Sequence, residues 1–90
     1  MDWKTHKKQL FSDPEFVKVY KETVVEYEIA KALFDARTKR GLTQKELALK
    51  LKTKQSVISR VESAKTSPSL AFLKRLASVL GGHLTVSFNI

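Results

Sequence analysis

Apolar residues recur at helical spacing through most of the chain and change to strict alternation only in the last seven positions. Phe16, Tyr20, Val24 and Tyr27 stand four, four and three apart, the stripe of an amphipathic helix. Its start is written in Ser12-Asp13-Pro14-Glu15. Asp13 suits the cap, Pro14 the first helical position and Glu15 the positive end of the dipole. The β-branched run Thr23-Val24-Val25 predicts a bend, then a second helix over roughly 25–39. That helix buries Ile29, Ala30, Leu33 and Ala36 and stops at Gly41. Ahead of Ser12, Trp3 and Leu10-Phe11 predict a short turn of helix.

Thr43 opens the next helix, and Glu46 three residues on completes a capping box. Leu47, Ala48 and Leu51 form its inner face. After the polar stretch Lys52-Thr53-Lys54, a helix over 55–63 points Val57, Ile58 and Val61 inward. Residues 64–68 read as a loop, because Pro68 disfavours helix in the residue before it. Ser67 or Ser69 caps a last helix lined by Leu70, Leu73, Leu76, Ala77 and Leu80, and Gly81-Gly82 ends it.

Beyond the glycines the period becomes two. Leu84, Val86, Phe88 and Ile90 alternate with Thr85, Ser87 and Asn89, the pattern of a β-strand. A lone strand leaves its backbone groups unpaired, and the chain offers no second one. The alternation fits a strand that pairs with its own copy in a homodimer, or a frayed tail whose pattern is chance.

Ninety residues fit one compact domain. Charge is unevenly spread over it. Residues 1–35 hold six lysines and seven acids, a balance of −1, whereas 36–90 hold eleven Lys+Arg and two acids, a balance of +9. The second part is an electrostatic footprint for nucleic acid, or simply a solvated basic face. No apolar run approaches membrane-spanning length, no signal peptide is visible, and there is no cysteine for a disulfide or thiolate site. A cytoplasmic protein without membrane association is expected.

Catalysis finds no support. His6 and His83 lack neighbouring ligands and read as surface residues. No phosphate loop, zinc-type helix motif or serine elbow occurs, and Glu22/Glu26 read as a solvated helix face. The expectation is a protein that is not an enzyme and has no cofactor and no metal.

The segment 41–65, GLTQKELALKLKTKQSVISRVESAK, places two short helices around a three-residue turn, with small Ala48 where they cross. Its residues Leu42-Thr43-Gln44, Glu46-Leu47-Ala48, Leu51, Gln55-Ser56, Ile58-Ser59, Val61-Glu62 and Pro68-Ser69-Leu70 resemble the lambda-repressor-like (XRE) helix-turn-helix family. The resemblance covers about 28–82. It implies an all-α, five-helix DNA-binding domain over 28–82, with a helical extension over 1–27 and a dimerisation strand over 83–90. The Asp-Pro-Glu-Phe helix before the domain and the strand after it look like HigA-type antitoxins, which neutralise a ribonuclease-type toxin and repress their own operon. Such antitoxins are often acidic, whereas this chain carries +8. Lys52 and Ala64 stand where the family usually has glycine; lysine is expected either to sit in its turn with left-handed strain or to go with a reshaped turn.

Roles follow from that alignment. Gln55 and Ser56 begin the recognition helix and are expected to reach base edges, with Lys54, Ser59 and Arg60 beside them. Thr43 and Gln44, and Lys65 and Thr66 in the following loop, are expected to hold phosphates of double-stranded operator DNA. Arg37 and Glu62 look like the family's internal ion pair. Leu84, Val86, Phe88 and Ile90 are assigned to the homodimer, and Phe16, Tyr20, Val24 and Tyr27 to a toxin partner. The alternatives are a stand-alone phage-type or metabolic repressor, and a protein-interaction module that has lost DNA binding.

Overall fold

Trp3, His6 and Leu10 fall three and four residues apart, so they share one face of a helix. That helix, α1 (Trp3–Phe11), is longer than the single turn expected. The computed structural model describes residues 3–12 and 24–90, so Asp13, Pro14, Glu15, Phe16, Tyr20 and Thr23, with the helix start and most of the aromatic stripe, lie outside the described residues. Four more helices follow: α2 (Val24–Lys39), α3 (Gln44–Leu51), α4 (Gln55–Glu62) and α5 (Leu70–Val79). The described residues are thus all-helical, with five helices. One of them, α1, belongs to the N-terminal extension, so residues 28–82 hold four rather than five.

Helix α2 is the central beam. Leu33 and half-buried Ile29 join the main core with Leu47, Ala48, Leu51, Ile58, Val61 and Leu76. Tyr27 and Ala30 face the other way, into a smaller cluster with Leu10 and Ala64 that Trp3 and Phe11 close. Tyr27 is therefore buried beneath α1, its ring 5.7 Å from Trp3 and 6.0 Å from Phe11. Leu70, expected on the inner face of α5, is instead 56% exposed at the first position of that helix.

The four helices α2–α5 stop in the same way. Each ends on a left-handed residue, Gly41, Lys52, Ala64 and Gly81 in turn, with φ between 57° and 81°. In each case the next amide reaches back to a carbonyl five residues earlier: Leu42 to Arg37, Thr53 to Ala48, Lys65 to Arg60 and Gly82 to Ala77, at 2.9–3.1 Å. This doubly bonded stop satisfies carbonyls that the helix itself cannot. Glycine fills it without strain at the two outer ends, and a side chain is forced into it on either side of α4, at Lys52 and Ala64.

The expected C-terminal strand is not formed. Residues 83–90 run on from α5 without a ladder, and Val86, Phe88 and Ile90 are 72%, 88% and 114% exposed. A strand is made by cross-strand hydrogen bonds, and no other described segment of this chain presents a free edge. Alternation specifies which side chains share a face; it does not supply the partner.

Candidate nucleic-acid interface

The motif begins with a rigidly set helix. Thr43 Oγ1 accepts from the Glu46 amide at 3.0 Å, and Glu46 Oε1 accepts from the Thr43 amide at 2.9 Å. The Thr43 amide, then its hydroxyl, hold the Glu46 carboxyl below the ordinary glutamate range, with Lys50 adding to the effect. At the other end of α3, Lys52 lies at φ 59° and ψ 45°, so the turn is left-handed rather than reshaped. The turn then delivers α4, which packs on α2 and on α3.

Helix α4 is fixed at its C-terminal end. Ile58 and Val61 are buried, and Glu62 is wholly inaccessible. Its carboxylate accepts from Arg37 Nε at 2.6 Å and Nη2 at 2.9 Å, and from Gln44 Nε2 at 3.1 Å. The remaining Arg37 arm, Nη1, donates to the Leu42 carbonyl at 2.7 Å, and the guanidinium lies 5.4 Å from the Phe34 ring centre. A buried charge pair needs such full satisfaction, because a carboxylate stripped of water and left unpaired is strongly destabilising. The expected Arg37–Glu62 ion pair is present, and it ties α2, α3 and α4 into one unit.

With Ile58 and Val61 turned inward, the opposite side of α4 faces out. Gln55, Ser56, Ser59 and Arg60 fall within an arc of roughly 140° on a helix of this pitch. Gln55, Ser56 and Arg60 are exposed, Ser59 is half-buried, and Lys54 is exposed just before them. Lys54 supplies no side-chain cap, and the Val57 amide donates to the Lys54 carbonyl at 3.1 Å. Lys65 is exposed and Thr66 half-buried in the next loop. After Glu46 the chain has one acid, Glu62, and that one is buried and paired. The outward face of α4 is thus cationic and polar, with no carboxylate on it.

Two of the expected phosphate holders already have internal duties. The Thr43 hydroxyl caps α3, and the Gln44 amide nitrogen binds Glu62. One residue was passed over in the sequence. His6 was expected at the surface, but it is half-buried, stacked on Phe34 at 4.6 Å, with Nε2 2.9 Å from the Glu62 carbonyl oxygen. The three–four spacing of Trp3, His6 and Leu10 carried that signal. Among the residues assigned to a toxin, Val24 is 42% exposed, Tyr27 meets α1 rather than open solvent, and Phe16 and Tyr20 are not described.

This geometry agrees with what the comparisons find. A helix-turn-helix family model matches residues 33–86, more than half of the chain. The chain belongs to the helix-turn-helix family. It is similar to an uncharacterized HTH-type transcriptional regulator of Haemophilus influenzae, 29% identical over 85 residues, which are 94% of this chain and 83% of that one. A protein of Yarrowia lipolytica provisionally named a multi-protein-binding factor is 40% identical over 57 residues, 63% of this chain and 38% of its own length. Multiprotein-bridging factor 1a of Arabidopsis thaliana is also 40% identical over 57 residues, 63% of this chain and 40% of its own. The chain therefore spans about two-fifths of those two relatives and most of the bacterial one. No solved structure matches. Helix α1 lies outside the matched region, and no described helix is long and apolar enough to cross a membrane.

Proposed function

We propose that this helix-turn-helix protein is a cytoplasmic, homodimeric, sequence-specific repressor, and the antitoxin of a toxin–antitoxin pair that represses its own operon. The carrying observation is the recognition helix itself. It is gripped from behind by Arg37 and Gln44 through Glu62, and it presents Lys54, Gln55, Ser56 and Arg60 outward with no acid among them. Gln55 suits bidentate contact with adenine, Arg60 suits guanine or phosphate, and Lys65 and Thr66 suit the backbone. Two such helices about 34–36 Å apart would occupy successive major-groove faces of a palindromic operator and exclude polymerase. The protein acts by binding and performs no catalytic step.

The homodimer is supported by two apolar features left open among the described residues. Val86, Phe88 and Ile90 project from an unpaired tail, and a groove of about 410 Å³ between α2 and α5 is lined by Ile29, Leu73, Leu76, Leu80 and Leu84. Antiparallel pairing of two tails across a two-fold axis satisfies one edge of each and brings apolar side chains to both grooves in one isologous step. The antitoxin assignment draws on the seven acids of residues 1–35, which suit a basic partner. The bridging-factor relatives favour a second reading, an interaction module joining other proteins.

Footprinting on the protein's own promoter, with co-purification of the neighbouring gene product, separates these readings. Gln55→Ala is expected to cost about 1–3 kcal/mol at one base pair and to relax specificity there. Lys65→Ala is expected to weaken all sequences alike and flatten the salt slope by about one. Sequence-blind losses in both variants would make Gln55 a backbone contact. No protected promoter segment at all would leave the bridging reading.

A further inference from the structure

Helix α4 has eight residues, too few to be stable by propensity alone, and its DNA-facing end has no side-chain cap. Its pose is set by packing, through Ile58 and Val61 in the core, and by the contacts at its other end. Part of that anchorage, the Arg37–Glu62–Gln44 network, lies inside the family-matched region. The rest comes from α1, outside it. The backbone bonds that close α4 run to the carbonyls of Ser59, Arg60 and Val61, and the Glu62 carbonyl is taken by His6 Nε2 at 2.9 Å. Ala64, left-handed at φ 57° immediately beyond α4, is buried with Leu10, Tyr27 and Ala30 beneath the same helix.

The His6 bond and the seating of α1 are one event. The imidazole lies nearly parallel to Phe34, 4.6 Å away at 12°, and Trp3 packs against both rings at 5.2 and 5.5 Å. Trp3, His6 and Leu10 share one helix face, so none of them reaches its partner unless the others do.

We propose that α1 is a latch that sets the pose of the recognition helix, with His6 as its positioning residue. The latch rests on the reading of α4 as the DNA-reading helix, and it gives the N-terminal extension a route to the operator. Lifting α1 frees the Glu62 carbonyl and uncovers Ala64, which loosens the last turn of α4 while leaving its basic side chains in place. Sequence discrimination falls and electrostatic attraction to any duplex stays. A protein that takes the apolar face of α1 for itself would therefore weaken repression.

The test uses the full chain, a duplex that the wild-type protein selects from a random-sequence library, and a scrambled duplex of equal length and composition. His6→Ala should narrow the preference for the selected duplex about fivefold, the worth of one hydrogen bond, with binding to the scrambled duplex unchanged. His6→Gln, whose Nε2 stands equally far from its Cβ, should restore it. In the DNA-free protein, His6→Ala should speed hydrogen exchange at the amides of Ser63, Ala64 and Lys65 and leave those of α3 and α5 protected. An unchanged preference with unchanged exchange at those three amides overturns the latch. So does equal loss on both duplexes with exchange raised evenly over α3, α4 and α5, which would make His6 a general stabiliser. If the wild-type chain selects no duplex, the DNA-reading assignment fails, and the exchange pattern alone still decides whether α1 holds the end of α4.

Discussion

Lys52 and Ala64 share a backbone conformation and differ in what surrounds them. Both are left-handed, at φ 59° and 57°. Lys52 is exposed, so its β-carbon brings strain of about 1–2 kcal/mol with no packing in return. Ala64 is 5% exposed, and its methyl fills the cluster beneath α1. Glycine at either position relieves strain but adds unfolded-state entropy of about 0.4–1 kcal/mol. Lys52→Gly is therefore expected to stabilise by about 0.5–1 kcal/mol on that difference. Ala64→Gly loses a buried methyl worth about 0.8 kcal/mol as well and should be neutral or destabilising. Paired thermal melts check this, and a stability drop in Lys52→Gly would contradict the strain at that turn. The departures from glycine are legible in the sequence. That the second is filled from outside the motif is not, because α1 and Ala64 are more than fifty residues apart.

At the scale of the element, each helix is held chiefly by how it starts and what it lies against. The capping box of α3 is readable from Thr43 and Glu46, and it has a pH signature. Glu46 is held below the ordinary glutamate range in the folded chain, so its contribution is fully present above that range and is lost as pH falls through the lowered value. Glu46→Gln keeps an acceptor oxygen without the titration, and acid unfolding of this variant should show a shallower loss of stability at the acid end. An unchanged acid limb would mean the box does not depend on the charge. Helix α1 depends instead on its apolar seat. Leu10 is 8% exposed, and Leu10→Ala should cost about 2–3 kcal/mol by the loss of buried side chain and the void left behind. Trp3 is the only tryptophan, so its fluorescence reports α1 alone. A red shift below the main unfolding transition is expected, and an emission that moves only with global unfolding would show that α1 and the core melt as one.

At the scale of the whole molecule, the described residues leave the tail unpaired and the α2–α5 groove open. Truncation after Gly82 removes Leu84, Val86, Phe88 and Ile90 but none of the buried core, so the shortened chain should keep its helical signal. Under the dimer reading it should sediment as a monomer, and operator affinity should fall about 10²-fold or more as the two half-sites lose their effective concentration. A truncated chain that still sediments as a dimer would place the interface on helices.

The sequence by itself determined the local decisions. The inner face of Leu47, Ala48 and Leu51, the Thr43/Glu46 box and the stops at Gly41 and Gly81 are short-range, each set by residues within a turn or two, and the structure bears them out, while it decides between Ser67 and Ser69 for Ser69 as the last cap. The helix-turn-helix motif is of the same kind, since its register lies within twenty-five consecutive residues. Tertiary structure decided everything that needs two distant segments to meet. His6 reads as a surface histidine until α1 brings it to the end of α4, and Tyr27 reads as partner-facing until Trp3 covers it. The strand expected at residues 84–90 fails for the same physical reason. Periodicity says which side chains share a face, but a strand exists only when another edge accepts its hydrogen bonds, and no other described segment of the chain supplies one.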